Sequence, residues 1–532
     1  MKPFLSFASL GFACLYGLAT ASASDVLTNR YDNARSGLVS TETALTPANV
    51  KGLKLLFQKK VDGAVYAQPL CVSNQLVFKG GVSQGLHDLL IVATENGSVY
   101  AFDAVTGTTY WKVSVLTPGD TAVSANDPHV LSKAIKPRLS ITATPVIDRN
   151  AGSNGRIFVL AMETDGLGHY DYKLHALDLA TGQDALTPVA ISASVSGAGP
   201  ATTFVAQNQH SRPALLLANG IIYTGFCSFD DRAPYSGWLI GYLETNLSQA
   251  VVFNPNPNGS PTSNHEPDGS GSGIWGAGGG ISADNNGNIF LAVGNGPFDQ
   301  TLDSNGFPAN SDFGDSVLKL SSATVSDYFT PHNEFNLASS DEDFGSGAVV
   351  LLPDIVDTNG KAHSLAVTVI KNSSIYLLDR NNLGKFNSSI DNSYQTLSNA
   401  LASHAYTSPV FFKNALYLCG ASTALQRFSF DFTNPNKPIL SSAPNATTST
   451  IFADRGCIPS ISSNGTTNGI VWAYETRLKL PNAILHAFDA RTLTELFNSG
   501  TLLAPGVKFA VPTIFNGKVY AGTMKSVAAF GL

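Results

Sequence analysis

One short phrase returns eight times along the 532 residues, and a ring of like β-sheets is the fold that accommodates it. The copies are VYAFDAVTG from Val99, LHALDLATG from Leu174, LIGYLETNL from Leu239, VLKLSSATV from Val317, IYLLDRNNLG from Ile375, LQRFSFDFTN from Leu425, LHAFDARTL from Leu485 and VAAFGL from Val527. Each alternates apolar and other positions as a half-buried strand does, and most then run into an Asp/Thr/Gly/Asn turn. Recurrence at uneven spacings of roughly 40 to 75 residues marks blade repeats separated by loops of different length. The expected fold is all-β: one eight-bladed β-propeller of four-stranded antiparallel blades over residues 53–532.

A second marker keeps step with the first. Prolines 69, 145, 213, 409, 459 and 512 open the strand pair ahead of six copies, and Gly278–Gly280 and Gly345–Gly347 take that place in the other two. Proline at a strand's first residue, or glycine where backbones crowd, suits an axis-lining strand. The last unit ends at Leu532 after three strands' worth of sequence. The apolar run LKLLFQKKV from Leu53 supplies its outer strand, so N- and C-terminal strands share one blade and leave no free edge.

Residues 1–23 read as a signal peptide: Lys2 is positive, Phe4–Leu18 is mostly apolar, and Ala21-Ser22-Ala23 has the small residues of a cleavage site. That run is too short to span a bilayer. The expected product is exported, periplasmic or extracellular, and not membrane-spanning. Residues 24–52 are expected as an extended arm on the ring. A net charge of −7 with no basic run excludes a nucleic-acid partner. Cys71, Cys227, Cys419 and Cys457 are too few and scattered for a disulfide framework and read as buried small residues, with Cys419 and Cys457, in neighbouring blades, the best candidate pair. The longest polar insertions, 116–140, 191–210, 254–273, 299–314 and 387–404, are placed to roof one mouth of the channel.

The phrases VYAFDAVTGTTYWK and LHALDLATG resemble the tryptophan-docking repeats of quinoprotein alcohol dehydrogenases, eight-bladed propellers that hold pyrroloquinoline quinone (PQQ) over the axis. The opening RYDNARSGLVSTETALTPANVKGLKLLFQKKVDGAVYAQPL resembles exported PQQ-repeat proteins still more closely. The resemblance implies a tryptophan floor under the quinone, matched by Trp275 in GIWGAGGG, and a metal-binding amide, matched by Asn295 in AVGNG. It implies a catalytic aspartate, matched by Asp343 in SSDEDFG, and a basic residue beside the quinone, matched by Lys371 ahead of YLLDR. A further acidic metal ligand falls on Asp230 or Asp231 in SFDDR, with Asp230 the first choice, and Asp341 resembles the second carboxylate of lanthanide-using members. Asp230, Asn295, Asp343 and Asp341 offer the oxygens that Ca²⁺ or a lanthanide takes. Asp343 would be the general base, and Lys371 with the cation would polarise the quinone. No C-x-x-C-H is present, so no haem is attached and electrons would pass to a separate acceptor.

The chain departs from that pattern in lacking an adjacent cysteine pair and in having aspartate where the family has a metal-binding glutamate. Each residue also has a plain structural reading. Trp275 fills space between blades, Asn295 turns the chain, Asp341–Asp343 is a solvated loop, and Lys371 sits on a surface. His210, Arg212, His404, Arg30 and Arg35 fall near blade mouths, where arginine pairs with an anionic ligand or holds loops by ion pairs. Two functions remain: a dehydrogenase acting on an alcohol or sugar hydroxyl, or a cofactor-free propeller that binds a protein or glycan through its long loops.

Overall fold

A computed structural model describes residues 25–130, 132, 134–197, 201–259, 271–453, 455–476 and 481–532. The expected signal peptide lies outside these residues, as does the centre of the polar insertion from Asn254. Among the described residues the chain forms eight antiparallel blades around one axis. From axis to rim, the first is Leu70–Lys79, Val82–Ala93, Ser98–Asp103 and Thr109–Ser114, and the second is Val146–Asp148, Arg156–Thr164, Tyr170–Asp178 and Val189–Ala190. The inner strands of the third to seventh blades are Leu216–Ala218, Ser282–Ala283, Val350–Leu351, Val410–Phe412 and Ser460–Asn464. The eighth blade holds Thr513–Phe515, Lys518–Gly522 and Ser526–Gly531, and the N-terminal strand Lys54–Lys60 pairs antiparallel on its rim side. The ring therefore closes as expected, with no blade left open.

The repeat phrase explains its own residues. In DAVTG, Asp103 accepts from the amides of Val105 and Thr106 and closes the turn; Asp178 and Asp489 do the same in their units. The glycine ending the phrase is where the preceding blade docks. A Cβ on Gly182 would stand 2.6 Å from the Trp111 ring, and one on Gly107 2.9 Å from the Phe57 ring. An aromatic on the rim of one blade thus lies flat on the turn of the next. The apolar cores follow suit: they form between neighbouring blades, one running from Tyr172 and Leu174 to Trp238 and Ile240, another from Leu216 and Tyr223 to Leu291 and Leu318.

The prolines stand one residue ahead of the inner strands in the first, second, sixth, seventh and eighth blades. The N-terminal segment uses the carbonyls of three of them, Pro409, Pro459 and Pro512. Arg30 and Arg35 do not stand at blade mouths, and among the described residues neither holds a loop by an ion pair. Both are fully buried in the axis and donate almost entirely to backbone carbonyls. Arg30 reaches Arg35 O at 3.0 Å, Pro459 O at 3.1 Å and Pro409 O at 2.5 Å. Arg35 reaches Ile281 O at 2.8 Å, Leu215 O and Asn29 O at 2.9 Å and the Thr28 hydroxyl at 2.7 Å. Tyr31 donates to Pro512 O, Asn33 to Leu217 O, and backbone bonds join Val26 to Cys71, Leu27 to Ile147, Ala34 to Leu351 and Gly37 to Ile461. The segment Val26–Gly37 touches every blade and plugs the channel.

Candidate functional site

Above the plug, a cavity of about 410 Å³ opens at one end of the axis. That volume suits a small-molecule site. A void of about 20 Å³, lined by Asn29, Arg212, Lys508 and Phe509, lies between the arm and the cavity. The insertions contribute Ser132, Ala134, His210 and His404 to the cavity wall. Of the residues expected from the sequence, Asp230, Trp275, Asp341, Asp343 and Lys371 all line this one cavity. Asn295 stands just behind, its Nδ2 donating to Asp341 Oδ1 at 3.1 Å.

Trp275 is half-buried on a loop stretched between blades: Ile274 N donates to Phe226 O, Gly276 N to Gly345 O and Ala277 N to Ser346 O. Its indole lies against three glycines. A Cβ on Gly273 or Gly345 would come within 2.9 or 3.0 Å of the ring, and one on Gly294 would meet both the ring, at 3.3 Å, and Asp343 Oδ2, at 2.8 Å. The AVGNG glycine therefore brings the tryptophan and the aspartate together.

The carboxylates come from the segment after a short helix, Glu334–Ser339. Glu342 N donates back to Leu337 O, and Asp341, at φ 56°, takes the left-handed position that ends the helix. That turn sends Asp341 to the cavity's edge, while Asp343 is buried. Lys371 is tied to the same segment, its amide donating to Asp343 O at 3.1 Å. Its Nζ stands 2.5 Å from Asp341 Oδ1 and 3.7 Å from Asp343 Oδ1. Burial pushes the Asp343 carboxyl up to about 7, against the pull of Lys371 and with the push of Asp231 and Asp341. Burial, and then Asp343, also pushes up Asp315, which lies behind it and accepts from Phe344 N. Lys371 is held above its ordinary value: burial works against its charge, but Asp343 and Asp341 outweigh it.

Asp230 and Asp231 both line the cavity on successive left-handed residues, φ 52° and 56°, and they face different groups. Asp231 acts on Asp343 and accepts from Tyr235 Oη at 3.4 Å, while Asp230 acts on Arg212. The same cavity has a basic, aromatic wall that the sequence reading largely missed. Arg455 packs over Tyr406 and Arg212 over Phe509, each 4.6 Å from the ring centroid, and Lys508 adjoins Phe509. His210 stacks on Phe229 at 4.8 Å, and burial, then Arg212 and Lys508, holds its imidazole well below the ordinary value. A signal was available. Arg212, Tyr406, Arg455, Lys508 and Phe509 all fall one to four residues ahead of an axial proline, the stretch by which each blade reaches the cavity.

No protein-family model and no curated protein matches the chain. Solved structures do. A quinohemoprotein alcohol dehydrogenase from Comamonas testosteroni aligns over 96% of this chain and 80% of its own, with a TM-score of 0.60 and 15% identity. A europium-containing methanol dehydrogenase aligns over 96% of this chain and 98% of its own, with a TM-score of 0.60 and 13% identity. This chain has their fold. At such identities the likeness speaks for architecture alone, and the chemistry must be argued from the cavity.

Asp343 makes the site costly to build. Its folded pKa lies above the unfolded value, so the folded protein holds the proton more tightly, and stability falls as pH rises from about 4 to about 7. Asp343→Asn mimics the protonated form. It is expected to flatten that slope and to raise the stability of the ligand-free protein at pH 8 by about 2–4 kcal/mol, read as thermal midpoint against pH.

Proposed function

We propose that the protein is a PQQ-dependent dehydrogenase of an alcohol or sugar hydroxyl, with Ca²⁺ or a lanthanide beside the quinone. The observation that carries this reading is the meeting of Trp275, Asp343, Asp341, Asp231 and Lys371 in one cavity, under a single mouth of the ring. Asp231, Asp341 and Asp343 gather about Lys371, and carboxylate oxygens of this kind are what a hard cation takes. Asn295 adds a buried Oδ1 that has no hydrogen-bond partner among the described residues. No three His, Cys, Asp or Glu side chains among the described residues form a metal site by themselves. The residues fit a cation whose remaining ligands are amide and cofactor oxygens. Of the SFDDR pair, Asp231 is the better ligand because its charge acts on Asp343.

Trp275 would hold a flat ring system by stacking, and the glycines behind it keep the indole in one plane. Arg212 and Lys508, which also line the cavity, suit the carboxylates of such a ligand. When bound, the quinone supplies the two-electron acceptor that no side chain provides. Asp343 Oδ1, the oxygen turned toward Lys371, would take the substrate hydroxyl proton. Lys371, held charged by its two carboxylates, would stabilise negative charge gathering beside it. The base works only when ionised, so kcat/KM should fall as pH drops through about 7, and a bound cation should move that limb to lower pH. Among the described residues no helix is long and apolar enough to cross a membrane. We place the enzyme outside the cytoplasm, passing electrons to a separate acceptor.

Calorimetric titration tests the reading. Cation alone should bind weakly, and PQQ with Ca²⁺ or a lanthanide should bind together far more tightly than either alone. Trp275→Ala should weaken quinone binding by about 10-fold. Absence of quinone binding with either metal would favour the cofactor-free propeller instead.

A further inference from the structure

We propose that Cys419 and Cys457 join in a disulfide between the sixth and seventh blades and fix the part of the cavity wall that carries Tyr406 and Arg455. Cys419 ends the strand Ala415–Cys419, and Cys457 lies just ahead of the strand Ser460–Asn464. Both are buried, in one apolar cluster between the two blades. Burial, and then the neighbouring Cys419 thiol, pushes the Cys457 thiol up. The two backbones approach closely beside the pair. A Cβ on Gly456 would lie 2.6 Å from Gly420 O and 3.1 Å from Cys419 O, and Gly456 takes φ 71°, so only glycine allows this approach. By contrast Cys71 lies in a different apolar cluster.

The pair sits behind the cavity. Arg455, two residues before Cys457, lines it, and Thr407 Oγ1 donates to Cys457 O at 3.1 Å beside Tyr406. From the other cysteine, Ala421 N donates to His404 O at 2.7 Å. A bond between the sulfurs would hold both segments in register. In forming it the two thiols lose two protons and two electrons to a small-molecule disulfide such as oxidised glutathione, which leaves as two thiols. A thiolate attacks that disulfide first, and the second cysteine displaces the mixed partner. With Cys419 at 0% and Cys457 at 3% exposure, exchange belongs to folding, before the blades close over the pair. The inference is independent of the quinone reading.

The full chain is folded in a glutathione redox buffer, unfolded in guanidinium with an alkylating agent and mapped by mass spectrometry. Cys419 and Cys457 are expected in one cross-linked peptide pair, with Cys71 and Cys227 alkylated. Recovery of Cys419 and Cys457 as separate alkylated peptides would overturn the proposal. Dithiothreitol should cleave the bond in guanidinium and leave it intact in the native protein. Oxidised protein should melt roughly 5 °C above reduced protein. Cys419→Ser, Cys457→Ser and the double variant should each lose that increment equally, and an increment kept by either single variant would count against the bond.

Discussion

Asp343→Ala is expected to lower turnover by at least about 10³-fold, with the ring intact. The effect is large because three functions meet on that side chain. It is the buried carboxylate, it lies beside Lys371, and Gly294 holds it against the tryptophan floor. Cation affinity measured with the quinone present should fall as well. The fold should survive, because the ring rests on strand pairing and on apolar cores between blades, to which Asp343 contributes nothing. Asp343→Asn should be as inactive as the alanine variant while melting at a higher temperature than the wild type at pH 8, a pairing that a merely structural aspartate would not give. Asn295→Ala should lose cation affinity and keep a little activity. Asp341→Ala should be milder with Ca²⁺ than with a lanthanide. Full turnover in Asp343→Ala would remove the base from the proposal.

The ring could be read from the sequence because each blade is a local object. Alternating strands, the Asp turn and the docking glycine are written within one repeat, and Phe57 on Gly107 and Trp111 on Gly182 are contacts between adjacent copies. The carboxylate side of the cavity came from the motif resemblance, and Asp341, Asp343 and Lys371 could be matched because they lie within 31 residues in consecutive segments joined by one backbone bond. The basic wall was not legible. Only Arg212 stood out; Arg455 and Lys508 come from blades far apart in sequence, each alone reads as a surface cation, and their common offset from an axial proline tells only once the ring is known. Asp230 and Asp231 act on different groups, Arg212 and Asp343, a difference that two left-handed residues in succession hide from the sequence.

Arg30→Ala is expected to cost about 5 kcal/mol or more, enough to lower the melting temperature sharply or leave the chain unfolded, and Arg35→Ala about as much. The sequence gives little hint of this, because charged side chains are rarely fully buried. Closing eight blades points a crown of inner-strand carbonyls at one axis, and neighbouring strands there cannot satisfy all of them. A guanidinium answers with five donors in a plane. Burial pushes both arginines down to about 10, which leaves them charged at neutral pH. Without Arg30 the carbonyls of Pro409 and Pro459 lose their donor in a buried site, at about 1–3 kcal/mol each, and a side-chain-sized void opens. Arg30→Lys keeps the charge but not the fork, so it should recover only part of the loss. Urea unfolding of the three variants measures the series. If Arg30→Ala unfolds at the wild-type midpoint, the plug is not what holds the blades to the axis.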